Sequence, residues 1–188
     1  MTLKRYIPNL ITSVRIVGTF CLLFLEPLTM LFYVVYTVSG VSDILDGWIA
    51  RMTKTTSDFG SKLDSTADLM FYAVMLIQIL PILWKVLPLS IWIIAGIMLL
   101  IRLISYGIAA WKYHRFSSMH TYLNKLTGAC VFAMPYLLRQ PYFIGYIWVA
   151  ATIAMLGTLE ELLIHCVQKE YDPTIKSYFN RKFHTTDR

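Results

Sequence analysis

The sequence predicts an all-α integral membrane protein with six transmembrane helices and both termini in the cytoplasm. Three observations support this fold class. Of the 188 residues, 57% are hydrophobic and only 15% are charged, whereas soluble domains carry about a quarter charged residues. Apolar stretches of about 20 residues, the length that crosses a hydrocarbon core, recur along the chain. The basic residues collect in alternate connections between these stretches.

The apolar stretches define the predicted helices. Because the backbone in lipid must satisfy its own hydrogen bonds, each stretch is expected to be helical. We assign the helices to one domain, residues 1–166, followed by a basic cytoplasmic tail, residues 167–188. The predicted spans, in chain order, are Ile7–Leu25, Leu31–Ala50, Phe59–Leu80, Leu89–Ala110, Met119–Leu138 and Tyr142–Cys166.

The distribution of lysine and arginine determines the predicted orientation. With six spans, 13 of the 17 basic residues fall on the side that holds both termini. Lys85 and Arg139 lie on the other side, and Arg15 and Arg102 lie within spans. The positive-inside rule therefore places both termini in the cytoplasm. We attribute the net charge of +6 to this topology and expect no nucleic-acid partner.

Four aspartates mark the junction between the second and third spans. Asp43 and Asp46 have i, i+3 spacing near the end of one helix, so they share a face. Asp64 and Asp68 have i, i+4 spacing near the start of the next helix and also share a face. The short link 52–59 holds these helix ends together on the cytoplasmic side. All four carboxylates are therefore expected to converge near the inner face of the membrane.

Converging carboxylates require cations. Four of them repel one another, and Arg51 alone cannot balance their charge. One or two divalent ions can, and all-oxygen ligands favour Mg²⁺, Mn²⁺ or Ca²⁺ over Zn²⁺. Such ions clamp phosphate groups during displacement at phosphorus. Gly47, Ala50 and Gly60 leave room for a phosphate-bearing ligand, although taken alone these small residues are more typical of helix packing.

This pattern resembles the signature of a known family. The motif D-x-x-D-G-x-x-A-R, followed after eight residues by G-x-x-x-D-x-x-x-D, is similar to that of CDP-alcohol phosphatidyltransferases. The segment Ile7–Arg15 is similar to the opening of bacterial phosphatidylglycerophosphate synthases, the members that the chain resembles most. The motif positions are Asp43, Asp46, Gly47, Ala50, Arg51, Gly60, Asp64 and Asp68.

The resemblance implies a reaction and a role for each motif residue. A phosphatidyl group would pass from CDP-diacylglycerol to an alcohol, with release of CMP. The four aspartates would hold two ions, Mg²⁺ or Mn²⁺, and Asp68 would also be the general base that deprotonates the acceptor hydroxyl. Gly47, Ala50, Arg51 and Gly60 would bind the CDP part. The resemblance further implies a homodimer. The predicted topology places the protein in the cell membrane with the active site facing the cytoplasm.

The acceptor alcohol is less clearly marked. The resemblance to phosphatidylglycerophosphate synthases favours glycerol 3-phosphate, an anion that requires cationic contacts. The candidate contacts are Arg102, Lys112, Arg115 and Lys125. Ser65 and Leu69 depart from the proline and lysine that phosphatidylglycerophosphate synthases commonly have after the third and fourth aspartates. The segment Asp64–Asp68 looks more like that of the phosphatidylserine or phosphatidylinositol-phosphate synthases, which remain the alternative. Glu160 and Glu161, near the end of the last span, are interpreted as a solvated helix end.

Two rival classes share part of this pattern. A cation transporter would also place acids in a membrane, but it would show polar residues at the midplane and broken helices in related halves. This chain has the four aspartates of the motif at one face and no internal repeat. A metal-dependent CDP-lipid hydrolase could share the whole metal site, but it would leave Arg102 and Lys125 without a role.

Overall fold

In the computed structural model the described chain is all-helical. The structure describes residues 3–53, 58–113, 121–168 and 177, and the side chains of 11–43, 45, 60, 63–113, 121–168 and 177. No strand occurs within these residues, and each helix coincides with one predicted span, so the all-α prediction is confirmed. The helices are α1 (Leu3–Leu22), α2 (Met30–Thr53), α3 (Asp58–Val86), α4 (Leu89–Tyr113), α5 (Tyr122–Leu137) and α6 (Phe143–Val167).

Three helices of the described chain are long and apolar enough to cross a membrane. They are Leu63–Val86 within α3, Leu89–Tyr113 and Phe143–Val167. Ile11–Leu22 of α1 is apolar but shorter. A multi-pass membrane protein is consistent with these lengths. The crossing of all six helices and the cytoplasmic position of the termini stay predictions.

Helix α3 is longer than the predicted third span. The sequence suggests an end at Leu80, before Pro81, but the helix continues through this proline to Val86. Proline removes one backbone N–H and normally ends or kinks a helix. Apolar helices tolerate it where neighbouring groups satisfy the freed carbonyl. A side chain of α3 also contacts the end of α1. The Gln78 amide nitrogen donates to the Leu22 carbonyl oxygen at 2.6 Å.

The first compact unit, Met1–Val86, contains α1, α2 and α3. An aromatic column joins α2 to α3, with Phe32 stacked on Tyr36 and Tyr36 stacked on Phe71 at centroid distances of 5.9 and 5.5 Å. Phe32 and Tyr36 are buried. Helix α1 packs against both α2 and α3, the two helices that carry the predicted aspartates.

The second compact unit, Leu87–Arg188, contains α4, α5 and α6. Helix α6 packs against both α4 and α5. The Tyr146 hydroxyl of α6 donates to the Cys130 carbonyl of α5 at 2.5 Å. The Thr121 side chain caps the start of α5 by accepting from the Asn124 backbone N–H at 3.2 Å. This cap sets the first turn of α5, which carries the polar residues described below.

Candidate active site

Three of the four predicted aspartates converge in the first unit. Asp43 of α2 and Asp64 and Asp68 of α3 each offer one carboxylate oxygen, and these oxygens all lie within 4.8 Å of one another. Asp43 is exposed, whereas the other two are half-buried. Asp46 lies one turn beyond Asp43 in α2, but its side chain is outside the described residues. We call Asp43, Asp64 and Asp68 the carboxylate cluster.

A buried arginine, which the sequence did not identify as a site residue, lies against the carboxylate cluster. Arg15 of α1 is only 2% exposed, and its Nη1 donates to Asp43 Oδ1. Its Nη2 donates to Asp64 Oδ1 at 2.6 Å and lies 3.4 Å from Asp68 Oδ1. The position of Arg15 within an apolar span could have identified it, because an arginine there needs acidic partners. The nearest predicted acids at that depth were those of the cluster.

Close packing of α1 on α2 places Arg15 beside the cluster. A Cβ added at Gly18 would lie 2.8 Å from Ser39 Oγ, so a larger residue there would force the Ser39 hydroxyl or the helix to shift. Gly18 follows Arg15 by one helical turn, and Ser39 precedes Asp43 by one turn. Small residues at helix crossings bring backbones close in membranes. The close approach of α1 to α2 thus allows the Arg15 side chain to reach the carboxylate cluster.

The charges of the cluster fit a divalent cation. Three carboxylates face one guanidinium, so two formal negative charges remain uncompensated among these four side chains. Every ligand atom offered by the aspartates is an oxygen, the donor type preferred by Mg²⁺ and Mn²⁺. Carboxylates at this density in an apolar helical bundle are costly without cations. The residues present therefore suit a divalent metal ion.

The residues predicted to bind CDP lie around the same helix junction. Gly60 is in the first turn of α3, one turn before Asp64. Gly47, Ala50 and Arg51 lie in α2 beyond Asp43, but their side chains are outside the described residues. Their helical placement agrees with the expected register, and their role in CDP binding stays a prediction.

Helices α4, α5 and α6 share a chain of polar side chains. Arg102 of α4 donates from Nη2 to Asn124 Oδ1 of α5 at 3.0 Å. The Asn124 amide nitrogen donates to Glu161 Oε2 of α6 at 3.1 Å. Glu161 has no exposed surface and Glu160 is 8% exposed, so the expected solvated helix end is wrong. Burial of a carboxylate requires hydrogen-bonding partners, and sequence alone did not reveal that Asn124 supplies one.

The other candidate acceptor cations differ in their surroundings. Lys112 donates to the carbonyl oxygens of His165 and Cys166, both at 3.1 Å. A cation at the last carbonyls of α6 stabilises that helix end. Lys125 is exposed at the start of α5. Arg115 lies outside the described residues, so its predicted contact with the acceptor also lies outside them.

The chain is similar to known proteins over most of its length. The family model for CDP-alcohol phosphatidyltransferase matches residues 5–159. This range includes Arg15 and the carboxylate cluster. The chain is also 30% identical over 158 residues to the CDP-diacylglycerol–glycerol-3-phosphate 3-phosphatidyltransferase of Pseudomonas fluorescens, a match that covers 80% of each chain. No solved structure matches the chain.

Proposed function

The chain belongs to the CDP-alcohol phosphatidyltransferase family, and from this premise we propose that its acceptor is glycerol 3-phosphate. It is a membrane enzyme of phospholipid biosynthesis that transfers a phosphatidyl group from CDP-diacylglycerol to an alcohol and releases CMP. The convergence of Asp43, Asp64 and Asp68 to within 4.8 Å is the observation that supports this chemistry most directly. The name of the Pseudomonas fluorescens relative supports the acceptor.

The proposed reaction is a displacement at the phosphorus that carries the diacylglycerol. Asp68 accepts the proton of the acceptor hydroxyl, and the hydroxyl oxygen forms the new P–O bond. The bond from this phosphorus to the CMP oxygen breaks, and CMP leaves with the electron pair. Divalent ions, when bound, would withdraw charge from the pyrophosphate and from the departing phosphate.

We assign two Mg²⁺ or Mn²⁺ ions to Asp43, Asp46, Asp64 and Asp68. Support for the ion type comes from the all-oxygen ligand set. Support for two ions comes from the number of aspartates in the motif and from the resemblance it carries. The carboxylate of Asp68 lies one turn further along α3 than that of Asp64, which suits a residue that also approaches the acceptor.

The remaining motif residues are assigned to the two substrates. Gly47, Ala50, Arg51 and Gly60 are the proposed contacts of the CDP part, since small residues admit a phosphate-bearing group close to the backbone. The proposed contacts of the acceptor phosphate are Arg102, Lys112, Arg115 and Lys125. Among these, Arg102 is favoured because a cation inside an apolar helix is expensive unless it has a function.

We further propose that all six helices cross the cell membrane. Both termini and the active site then face the cytoplasm, in agreement with the distribution of basic residues. A homodimer is proposed on the family resemblance. The polar segment 167–188 is proposed to be a cytoplasmic tail that follows a single catalytic domain, residues 1–166.

One observation favours a second acceptor class. Ser65 and Leu69 follow the third and fourth aspartates, where phosphatidylglycerophosphate synthases commonly have proline and lysine. The segment Asp64–Asp68 looks more like that of the phosphatidylserine or phosphatidylinositol-phosphate synthases. The test is CMP release by the purified protein from CDP-diacylglycerol with Mg²⁺, given glycerol 3-phosphate, serine, inositol phosphate or no acceptor. We expect release that requires glycerol 3-phosphate. CMP release that depends on serine or inositol phosphate would identify that compound as the acceptor instead. Equal release without any acceptor would identify a hydrolase.

A further inference from the structure

Arg15 stands out among the charged residues of the first unit. It is 2% exposed, lies in the middle of an apolar helix, and contacts all three members of the carboxylate cluster. Its guanidinium also donates to the Asp64 backbone carbonyl at 3.2 Å. The aspartate roles described above leave this residue without an assigned function.

The guanidinium and a divalent ion would draw on the same three carboxylates. Arg15 contacts one oxygen each of Asp43, Asp64 and Asp68, the same three residues that could hold a metal ion. Magnesium binds its oxygen ligands at about 2.0–2.1 Å, whereas the Arg15 Nη2 lies 2.6 Å from Asp64 Oδ1. A guanidinium and a divalent ion held by the same three carboxylates repel each other inside an apolar bundle. Full engagement of both with the cluster is therefore unfavourable.

We propose that Arg15 is a resident counter-cation that exchanges with the divalent ion at the carboxylate cluster. This inference rests on the proposed metal-binding function. Arg15 stabilises the three carboxylates until a metal ion arrives, and the metal ion binds only as the guanidinium gives up its contacts. Arg15 thereby weakens metal binding while it keeps α1, α2 and α3 together at the site.

A purely structural ion pair would behave differently. If Arg15 only anchored α1 to α2 and α3, its removal would loosen the cluster and weaken metal binding or leave it unchanged. If Arg15 competes with the metal ion, its removal strengthens metal binding, although the protein without metal becomes less stable. The two roles therefore predict opposite changes in metal affinity for the same substitution.

The test measures Mn²⁺ affinity of the detergent-purified protein from the electron paramagnetic resonance signal of free Mn²⁺. We expect Arg15→Gln to bind Mn²⁺ about tenfold more tightly than the unmodified protein. Its thermal unfolding midpoint should fall without Mn²⁺ and rise further on Mn²⁺ addition. Lys85→Gln is the control, because it removes a cation from the last turn of α3, about 25 Å along the helix from Asp68, and should leave Mn²⁺ affinity unchanged.

Each outcome separates the inference from the function on which it rests. If the unmodified protein binds no Mn²⁺, the proposed metal site fails and the inference fails with it. If it binds Mn²⁺ but Arg15→Gln binds equally or more weakly, only the inference is overturned. Should Arg15→Gln not fold, Arg15→Lys decides, because an ammonium group cannot span three carboxylates as a guanidinium does. Unchanged or weaker Mn²⁺ binding by Arg15→Lys would overturn the exchange.

Discussion

Single residues of the first unit determine what its site can bind. The carboxylate cluster collects three acidic groups within 4.8 Å, and one buried guanidinium faces all of them. Charged groups in an apolar bundle persist only where they are compensated or used. The excess negative charge makes a divalent cation the natural partner, so loss of any one carboxylate should weaken both metal binding and catalysis.

Asp64→Asn tests this dependence with almost no change in side-chain shape. The variant should lose at least about a hundredfold in the rate of CMP release and bind Mn²⁺ more weakly, because an amide oxygen carries no charge. Glu26→Gln is the control, since Glu26 is an exposed acid in the same unit and should retain the unmodified rate. Equal rates of CMP release for the two variants would show that Asp64 does not take part in catalysis.

Helix packing sets the position of these charges. In the first unit, the approach of α1 to α2 at Gly18 brings Arg15 to the carboxylates. In the second unit, Asn124 of α5 links Arg102 of α4 to Glu161 of α6. Both arrangements depend on polar contacts between helices that are mostly apolar. Substitutions at uncharged residues such as Gly18 and Asn124 should therefore alter stability or activity, although every charged side chain is retained.

Gly18→Val should destabilise the protein by about 1–3 kcal/mol, because the new side chain enters space occupied by Ser39. The matched control is Gly96→Val, where an added Cβ meets nothing within 4 Å. Both substitutions place the same β-branched residue in an apolar helix. Thermal unfolding midpoints measure the difference, and equal shifts for the two variants would contradict the close packing of α1 on α2.

Asn124→Ala removes the link between Arg102 and Glu161. We expect the KM for glycerol 3-phosphate to rise about tenfold, because Arg102 loses a hydrogen bond that orients its guanidinium. Leu126→Ala, an exposed position on the same helix, should leave this KM unchanged. A lower unfolding midpoint for Asn124→Ala with an unchanged KM would show that the link serves stability alone.

At the scale of the whole molecule, apolar helices and basic connections determine how the chain sits in a membrane. The described chain is all-helical, and three of its helices have the length and composition of membrane spans. The proposed topology adds three further crossings and places Arg139 outside and the tail inside. In this proposed topology the carboxylate cluster would be open to cytoplasmic substrates.

Labelling of single cysteines in intact cells tests this topology. In a background with Cys21, Cys130 and Cys166 replaced, Arg139→Cys should react with a membrane-impermeant maleimide. Ser177→Cys should react only after the membrane is opened, because the tail is predicted to be cytoplasmic. Labelling of Ser177→Cys but not of Arg139→Cys in sealed cells would reverse the orientation. Labelling of both cysteines would mean that α6 does not cross the membrane.

The features predicted correctly from sequence depend on local spacing. Hydrophobic length located each helix to within several residues, and helical periodicity with a short link brought Asp43 close to Asp64 and Asp68. Two of the aspartate partners of Arg15, Asp43 and Asp64, lie 28 and 49 residues further along the chain. No local pattern encodes such a pairing, because it arises from the packing of α1. The burial of Glu161 was missed for the same reason.

The most direct test of the central claim is metal-dependent CMP release with CDP-diacylglycerol and glycerol 3-phosphate. The unmodified protein should release CMP, lose this activity after treatment with a chelator, and regain it with Mg²⁺ or Mn²⁺. Asp68→Asn should release almost none under any of these conditions, since it lacks both a metal ligand and the general base. Undiminished release by Asp68→Asn, or by the chelator-treated protein, would contradict catalysis by the carboxylate cluster.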